Sequence, residues 1–266
     1  MRYIAHAVHM AIVVDATNFL AHSNSLQEVV KSANLLKSLP INALIRGEIG
    51  TGKKTLASII LPNAIIVDGQ NTQYLNSLIE SQEQIIIENF DKVGNYDYLK
   101  HLLINNNVRI IGITQKEIKK DIFDKFFTIE LFIPPLNERL EDVKPLVEKF
   151  VKDISIIFDD MENQDILIES LDLSKNIYSL KKSIFTQYVL KNLTQYDIIN
   201  YLENFFKNNL EGSNDYRDFL YLYEVPLLKA GLEKFQNQSR LSQVLGLNRN
   251  TLRKKLEENK EKLKNE

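Results

Sequence analysis

Two hydrophobic rhythms alternate along residues 24–136. Short continuous runs of aliphatic and β-branched residues stand at 43–45, 65–67, 85–87, 108–113 and 127–131. Between and before them, at 24–37, 53–60, 71–81 and 96–105, apolar residues recur every three to four positions. Unbroken apolar runs suit strands whose two faces are both covered, and the wider spacing marks one face of a helix. The pattern predicts an α/β layer built on a five-stranded parallel sheet. Pro134-Pro135 closes it, since neither residue can donate to a sheet ladder.

Beyond this point the strand rhythm stops. Residues 138–189 carry only helical periodicity, with an acidic stretch at Asp159, Asp160, Glu162 and Asp165, and read as a helical lid. Residues 194–260 form a further helical region with a polar break at 211–215. The expected organisation is an N-terminal extension (1–23), an α/β core (24–136), a lid (137–192) and an all-α domain (193–266).

Composition changes this picture in three places. Lys and Arg total 33 against 35 for Asp and Glu, a net charge of −2, which excludes a uniformly basic coat. Residues 229–266 nevertheless hold ten Lys or Arg and five Glu, so a local +5 sits on a body carrying −7. A basic C-terminus on an acidic body points to nucleic acid at that end. The absence of cysteine removes disulfides and thiol chemistry, and His6, His9, His22 and His101 show no ligand spacing, so no metal site is expected. The apolar run at 5–14 is broken by His6 and His9, falls short of the roughly 20 residues a bilayer requires, and is followed by no cleavage site. The expectation is a cytoplasmic chain with no membrane partner.

Candidate chemistry begins at Gly47-Glu48-Ile49-Gly50-Thr51-Gly52-Lys53, which follows the first strand and opens a helix. Glycines there let backbone N–H groups wrap an anion, the helix N-terminus adds positive potential, and the lysine reaches the outer phosphates. The nucleotide-binding candidates of the loop are Gly47, Glu48, Gly50, Thr51, Gly52, Lys53 and Lys54, to which a family resemblance at the end of the third strand adds Glu88, and the expected cofactor is ATP or ADP. The general pattern sets Ser or Thr after the lysine to hold Mg²⁺. Lys54 stands there instead, and Thr55 lies about 100° further round the helix.

The loop resembles the GExGTGK loop of the NtrC-type AAA+ transcription activators, a family that itself usually has Glu where Lys54 stands. Ser25-Leu26-Gln27-Glu28-Val29 resembles the segment ahead of that loop. Pro134-Pro135-Leu136-Asn137-Glu138-Arg139-Leu140-Glu141-Asp142-Val143 resembles the family's PPLRxRxxDI signature. The resemblance covers residues 24–190 and implies an AAA+-like P-loop sheet with a helical lid.

Several functional positions depart from that family. Its Asp-Glu pair, which positions Mg²⁺ and polarises the attacking water, is Glu88-Asn89 here, and an amide cannot accept the water's proton. Its Thr-Asn at the end of the fourth strand is Thr114-Gln115. Its arginine fingers fall near Lys119 and Lys125, which lack the planar fork that clamps a transferring phosphoryl group. Its lid motif GNxRxL is Lys175-Asn176-Ile177-Tyr178-Ser179-Leu180, with Tyr178 in place of the sensing arginine. Its GAFTGA loop, which engages the alternative sigma factor, has no counterpart in the roughly 17 residues between Val67 and Ile85. The expectation is a phosphate-binding domain that is not an enzyme, has no catalytic residue and does not act through that sigma factor.

At the other end, residues 227–235, 238–245 and 249–258 read as three short helices. Gly246 suits a left-handed helix end and Asn248 an N-cap, which together fit a helix-turn-helix. Leu241, Val244, Leu245, Leu247, Leu252 and Leu256 are its expected core. Arg249, Asn250, Thr251, Arg253, Lys254 and Lys255 are left on or near the exposed face, the residue types that base edges and phosphates require. The segment resembles the Fis family through Asn237-Gln238-Ser239-Arg240-Leu241 and Leu245-Gly246-Leu247-Asn248-Arg249-Asn250-Thr251-Leu252-Arg253-Lys254-Lys255-Leu256. That family's Gly-Asn turn begins here with Gln236.

The Fis resemblance implies DNA contacts at Asn248, Arg249, Thr251, Arg253 and Lys254; Lys255, a basic residue on or near the exposed face, is a separate candidate for a phosphate. Over residues 197–225 it implies helices that pair two copies. Ile198, Ile199, Tyr201, Leu202, Phe205 and Phe206, with Phe219, Leu220, Leu222 and Tyr223, are the candidate stripes of a homodimer. The combined expectation is a sequence-specific DNA-binding transcription regulator, with double-stranded DNA, a second copy and RNA polymerase as partners. Two alternatives stay open: an active ATP-dependent AAA+ regulator that remodels a partner, and a nucleoid-associated architectural protein.

Overall fold

The computed structural model describes residues 19–158 and 170–264. The apolar run at 5–14, His6, His9, most of the 1–23 extension and the acidic stretch from Asp159 to Asp165 lie outside the described residues. The chain divides into two compact units, residues 1–192 and 193–266.

In the first unit, α1 (Asn24–Leu36) opens on an N-cap at Ser23 and turns Leu26, Ala33 and Leu36 inward. The sheet then alternates with helices: β1 (Ala43–Gly47), α2 (Lys53–Ile60), β2 (Ile65–Asp68), α3 (Thr72–Ile79), β3 (Gln84–Glu88), α4 (Tyr96–Asn105), β4 (Arg109–Thr114), α5 (Lys120–Phe126) and β5 (Ile129–Ile133). The strands lie in the order β2-β3-β4-β1-β5 and are parallel throughout, with Ala43 opposite Ile111 on one side and Ile129 on the other. Both faces are covered. Ile85 and Ile87 point into one core layer with Leu44 and Ile110, while Ile86 points into the other with Ile45 and Ile111. Ile85, Ile86 and Ile87 are fully buried, and each contributes about 1.5–3 kcal/mol by leaving water. The continuous apolar runs have this as their cause.

β5 begins two residues later than its apolar run. Phe126 and Phe127 pack instead against Phe90 at ring separations of 5.3 and 4.7 Å. Their size suits the layer under the sheet better than a ladder position, and α5 delivers them there.

After β5 the chain runs through two short 3-10 turns, Leu136–Glu138 and Leu140–Asp142, into α6 (Val143–Phe158). α7 (Ile177–Lys191) packs back on α6 around Phe150, Val151, Leu180, Ile184 and Tyr188. This pair forms the lid.

The second unit contains α8 (Gln195–Lys207), α9 (Asp215–Asp218), α10 (Tyr221–Phe235), α11 (Gln238–Val244), α12 (Arg249–Glu258) and α13 (Lys260–Lys264). α10 starts six residues ahead of its expected beginning at residue 227 and carries Pro226 within it. Leu228, Leu241 and Leu252 make the buried centre, with Leu232, Phe235, Leu245 and Leu256 against them. Val244, expected in this core, is 58% exposed. The buried face of α11 runs through Leu241 and Ser242, because α10 approaches at Gly231, where a Cβ would stand 2.4 Å from Leu241 Cδ1. That crossing leaves Val244 on the flank.

Candidate functional site

The phosphate loop is set by β1 and α2. Gly50 and Gly52 both have left-handed backbones, φ 77° and 104°, a region that side chains enter only with strain. Between them Thr51 is fully buried and donates its hydroxyl to the Glu48 carbonyl at 2.9 Å. Lys53 lies beneath the loop, its ammonium donating to the Gly47 carbonyl at 2.7 Å and to that of Glu48. Burial there lowers its pKa from 10.5 to about 8, opposed by the charges of Glu88 and Glu48. A loop with two left-handed glycines ahead of a buried lysine fits a phosphate group.

Two residues from the lid side hold this loop in place. Asn176, buried and at φ 55°, donates through its amide to the Ile49 carbonyl at 2.9 Å and to the Glu48 carboxylate at 3.1 Å. The same side chain accepts the Leu136 N–H, and the Ile177 N–H donates to the Gly50 carbonyl at 3.1 Å. Tyr178 packs at Gly50, where an added Cβ would meet its ring at 3.0 Å. Arg139 is buried with Asp142. Its guanidinium donates to the Thr51 carbonyl at 2.9 Å and to the Pro134 carbonyl at 3.1 Å. Asp142 accepts from the Arg139 guanidinium at 3.4 Å, from the His22 and Ser23 N–H groups at 2.6 and 2.8 Å, and from the Ser23 hydroxyl at 2.8 Å. In the sequence Arg139 stands only as part of a signature, and Asn176 as one member of the lid motif in which Tyr178 replaces the arginine. Nothing in the local pattern announces either bond set, because the partners lie far along the chain.

The positions that serve a metal and hydrolysis in the resembled family are arranged otherwise here. Lys54 Nζ lies 2.7 Å from the Glu88 carboxylate. Asn89, at φ 49°, follows at the start of a 3-10 turn, Phe90–Lys92. Thr114 donates to Asp91 at 3.1 Å, Gln115 is exposed and Lys125 is paired with Asp97. At a nucleotide, Mg²⁺ keeps several waters and takes one or two carboxylates beside the ligand's phosphates. Glu88 is held by an ammonium, the Thr51 hydroxyl faces Glu48 and the Glu48 carboxylate faces Asn176. The loop fits a phosphate, while the carboxylate at the place of Mg²⁺ is held by the Lys54 ammonium.

In the C-terminal unit the helix-turn-helix is built by its caps. Gly246, at φ 64°, closes α11, with the Leu247 and Gly246 N–H groups donating to the Ser242 and Gln243 carbonyls at 2.9 and 3.2 Å. This is the paired end-bond pattern that a left-handed glycine allows. Asn248 caps α12 by accepting the Thr251 N–H at 2.7 Å. Asn237 caps α11 likewise, behind Gln236, which keeps the left-handed turn at φ 49° without glycine.

On α12, Leu252 is buried while Asn248, Arg249, Asn250, Arg253 and Lys254 are exposed and Thr251 is half-buried. Arg249 is drawn to one flank by the Ser239 hydroxyl at 2.6 Å, and Lys254 lies 3.7 Å from Glu258. Lys255, expected at a phosphate, is instead bonded to Glu224 of α10, which also accepts from Asn259 at 3.2 Å. Its position, one turn from Thr251 beside the buried row, aims it into the domain.

Three comparisons bear on these two sites. The family model for bacterial regulatory proteins of the Fis family matches residues 222–258. A putative Fis-like DNA-binding protein of Neisseria meningitidis is 50% identical over 58 residues, 21% of this chain and 73% of that protein. The DNA-binding transcriptional regulator NtrC of Rhizobium meliloti is 28% identical over 206 residues, 58% of this chain and 42% of that protein. The chain thus spans less than half the length of that NtrC relative. Among solved structures, NtrX from Brucella abortus in complex with ATP aligns with a TM-score of 0.55 at 16% identity, covering 91% of this chain and 69% of that one. Its complex with ADP aligns at 0.54. At such identity the likeness shows the fold, a parallel AAA+-type sheet with its helices.

Proposed function

We propose, from the fact that this chain belongs through its C-terminal domain to the Fis family of bacterial regulatory proteins, that it is a sequence-specific DNA-binding transcription regulator with an NtrC-like AAA+ core. The observation that carries this reading is the exposure of Arg253 and Lys254 on a helix whose N-terminus is fixed by Asn248 and whose buried row is Leu252. A helix so presented suits the major groove, where its first two turns meet base edges. Asn248, Arg249, Thr251, Arg253 and Lys254 are the proposed contacts. Titration of labelled duplexes with the intact chain, read by fluorescence anisotropy, tests it.

The pairing of two copies belongs to the same reading. α8 buries none of its residues within the chain, and Ile198, Ile199 and Tyr201 lie exposed along it. Phe205, Phe206 and Phe219 already pack together at ring separations of 5.5–5.8 Å. An exposed apolar stripe flanking a packed aromatic core marks an interface. A two-fold dimer would set its recognition helices about 34 Å apart, to meet an inverted repeat.

In the core, the Gly47–Lys53 loop would bind ATP or ADP, the ligands in the NtrX structures. Gly47, Glu48, Gly50, Thr51, Gly52, Lys53, Lys54 and Glu88 would line that site, and no residue would catalyse hydrolysis. Asn89 offers no base and Lys125 is engaged by Asp97. The connection from β2 to β3 holds only α3 and its turns, which supports regulation without the alternative sigma factor. A bound nucleotide would then act as a switch, since Asn176 and Arg139 tie the loop to the lid and any ligand preferring one arrangement shifts the population toward it.

A further inference from the structure

The disagreement between this loop and a divalent cation has a consequence for how a ligand is held. We propose that the loop binds its polyphosphate ligand without a metal, the Lys54 ammonium, oriented by Glu88, supplying the positive charge at the place where a cation would sit. The proposal rests on the phosphate-binding reading of Gly47–Lys53.

Lys54 is the second residue of α2, directly after the lysine beneath the loop, and Glu88 ends β3. Their side chains meet across the mouth of the loop at 2.7 Å. The Lys54 side chain is 48% exposed and that of Glu88 21%, so the ammonium is held from one side and open on the other. An ammonium carries three N–H donors and no acceptor. One is directed to Glu88, and two remain for oxygens of a ligand seated against the helix N-terminus.

A carboxylate that orients a cation, which in turn grips phosphate oxygens, is the arrangement a bound metal provides. Here the cation is covalently tethered. A dication brought to Glu88 would have to displace this ammonium or lie beside it. The Thr51 hydroxyl and the Glu48 carboxylate are bonded within the loop and to Asn176, and at Glu88 such a cation would contest the carboxylate with Lys54. With Lys53 below and Lys54 at the mouth, two cationic side chains flank the loop, and the charge of an anion bound there would oppose the burial that lowers the Lys53 pKa.

The test is equilibrium binding of fluorescent ADP to the full chain, measured with excess Mg²⁺ and again with excess EDTA. The proposal expects dissociation constants that agree within about twofold, and a loss of at least about tenfold in both conditions for Lys54→Gln. The double substitution Lys54→Thr with Glu88→Asp should convert the site, so that ADP binds at least about tenfold tighter with Mg²⁺ than with EDTA. Unfolding midpoints equal to the parent's certify that the variants are folded. Binding by the parent chain only when Mg²⁺ is present overturns the metal-free proposal and leaves the phosphate loop standing. Absence of binding in both conditions overturns the phosphate reading itself.

Discussion

Lys255 on α12 is bonded to the carboxylate of Glu224 on α10, so a basic residue of the recognition helix is turned into the domain instead of toward a ligand. The same carboxylate accepts from Asn259, which makes Glu224 the point where the helix-turn-helix is fastened to the helix behind it. Lys255→Met should therefore lower the unfolding free energy by about 1–2 kcal/mol, the range for a charged hydrogen bond that is only partly buried. Affinity for DNA at a temperature well below the transition should change little. Urea unfolding measures the first quantity and duplex titration the second.

Gln236 occupies a left-handed turn, φ 49°, where the Fis pattern has glycine. A side chain in this region costs about 1–2 kcal/mol, part of which glycine gives back through its freer unfolded chain. Gln236→Gly should stabilise the protein by about 0.5–1 kcal/mol. The C-terminal transition in thermal unfolding should move upward accordingly.

Lys53 gives a pH signature. Buried in the free loop, its ammonium has a pKa of about 8 instead of 10.5, so above pH 8 the free loop is increasingly neutral. A bound phosphate favours the charged form and raises that pKa. Nucleotide binding should take up a proton between pH 8 and 10.5, take up none from Lys53 near pH 6.5, and weaken as pH rises through 8. Calorimetric titrations in buffers of different ionisation heat count the protons directly.

Hydrolysis should be absent. Steady-state phosphate release by the purified chain should equal that of Lys53→Ala, because Asn89 cannot take a proton and Lys125 is engaged by Asp97. Release well above that of Lys53→Ala would falsify the inactive reading.

Much of the fold was legible because local rules determine it. Gly52 and Lys53 mark the start of α2, Gly246 and Asn248 mark the turn, and runs such as Ile85-Ile86-Ile87 have no solution other than a sheet covered on both faces. The site was legible as a loop and as a basic helix, but not as a set of contacts. Arg139 and Thr51 are 88 residues apart and Asn176 and Ile49 are 127 apart, and no periodicity relates them. Val244 obeys the apolar spacing of α11 and is exposed because Gly231 determines where α10 crosses. Lys255 matched a basic pattern while its partner, Glu224, lay on another helix.

The central claim is that α12 reads DNA sequence. Its most direct test selects a preferred duplex from a random pool with the intact chain, then titrates that duplex with the parent and with Arg253→Ala. The account predicts that the parent enriches a degenerate inverted repeat. Arg253→Ala should lose about 1–3 kcal/mol on that duplex and much less on unselected DNA, relaxing sequence preference. Selection of no sequence, or equal affinity of Arg253→Ala and parent for the selected duplex, would contradict it.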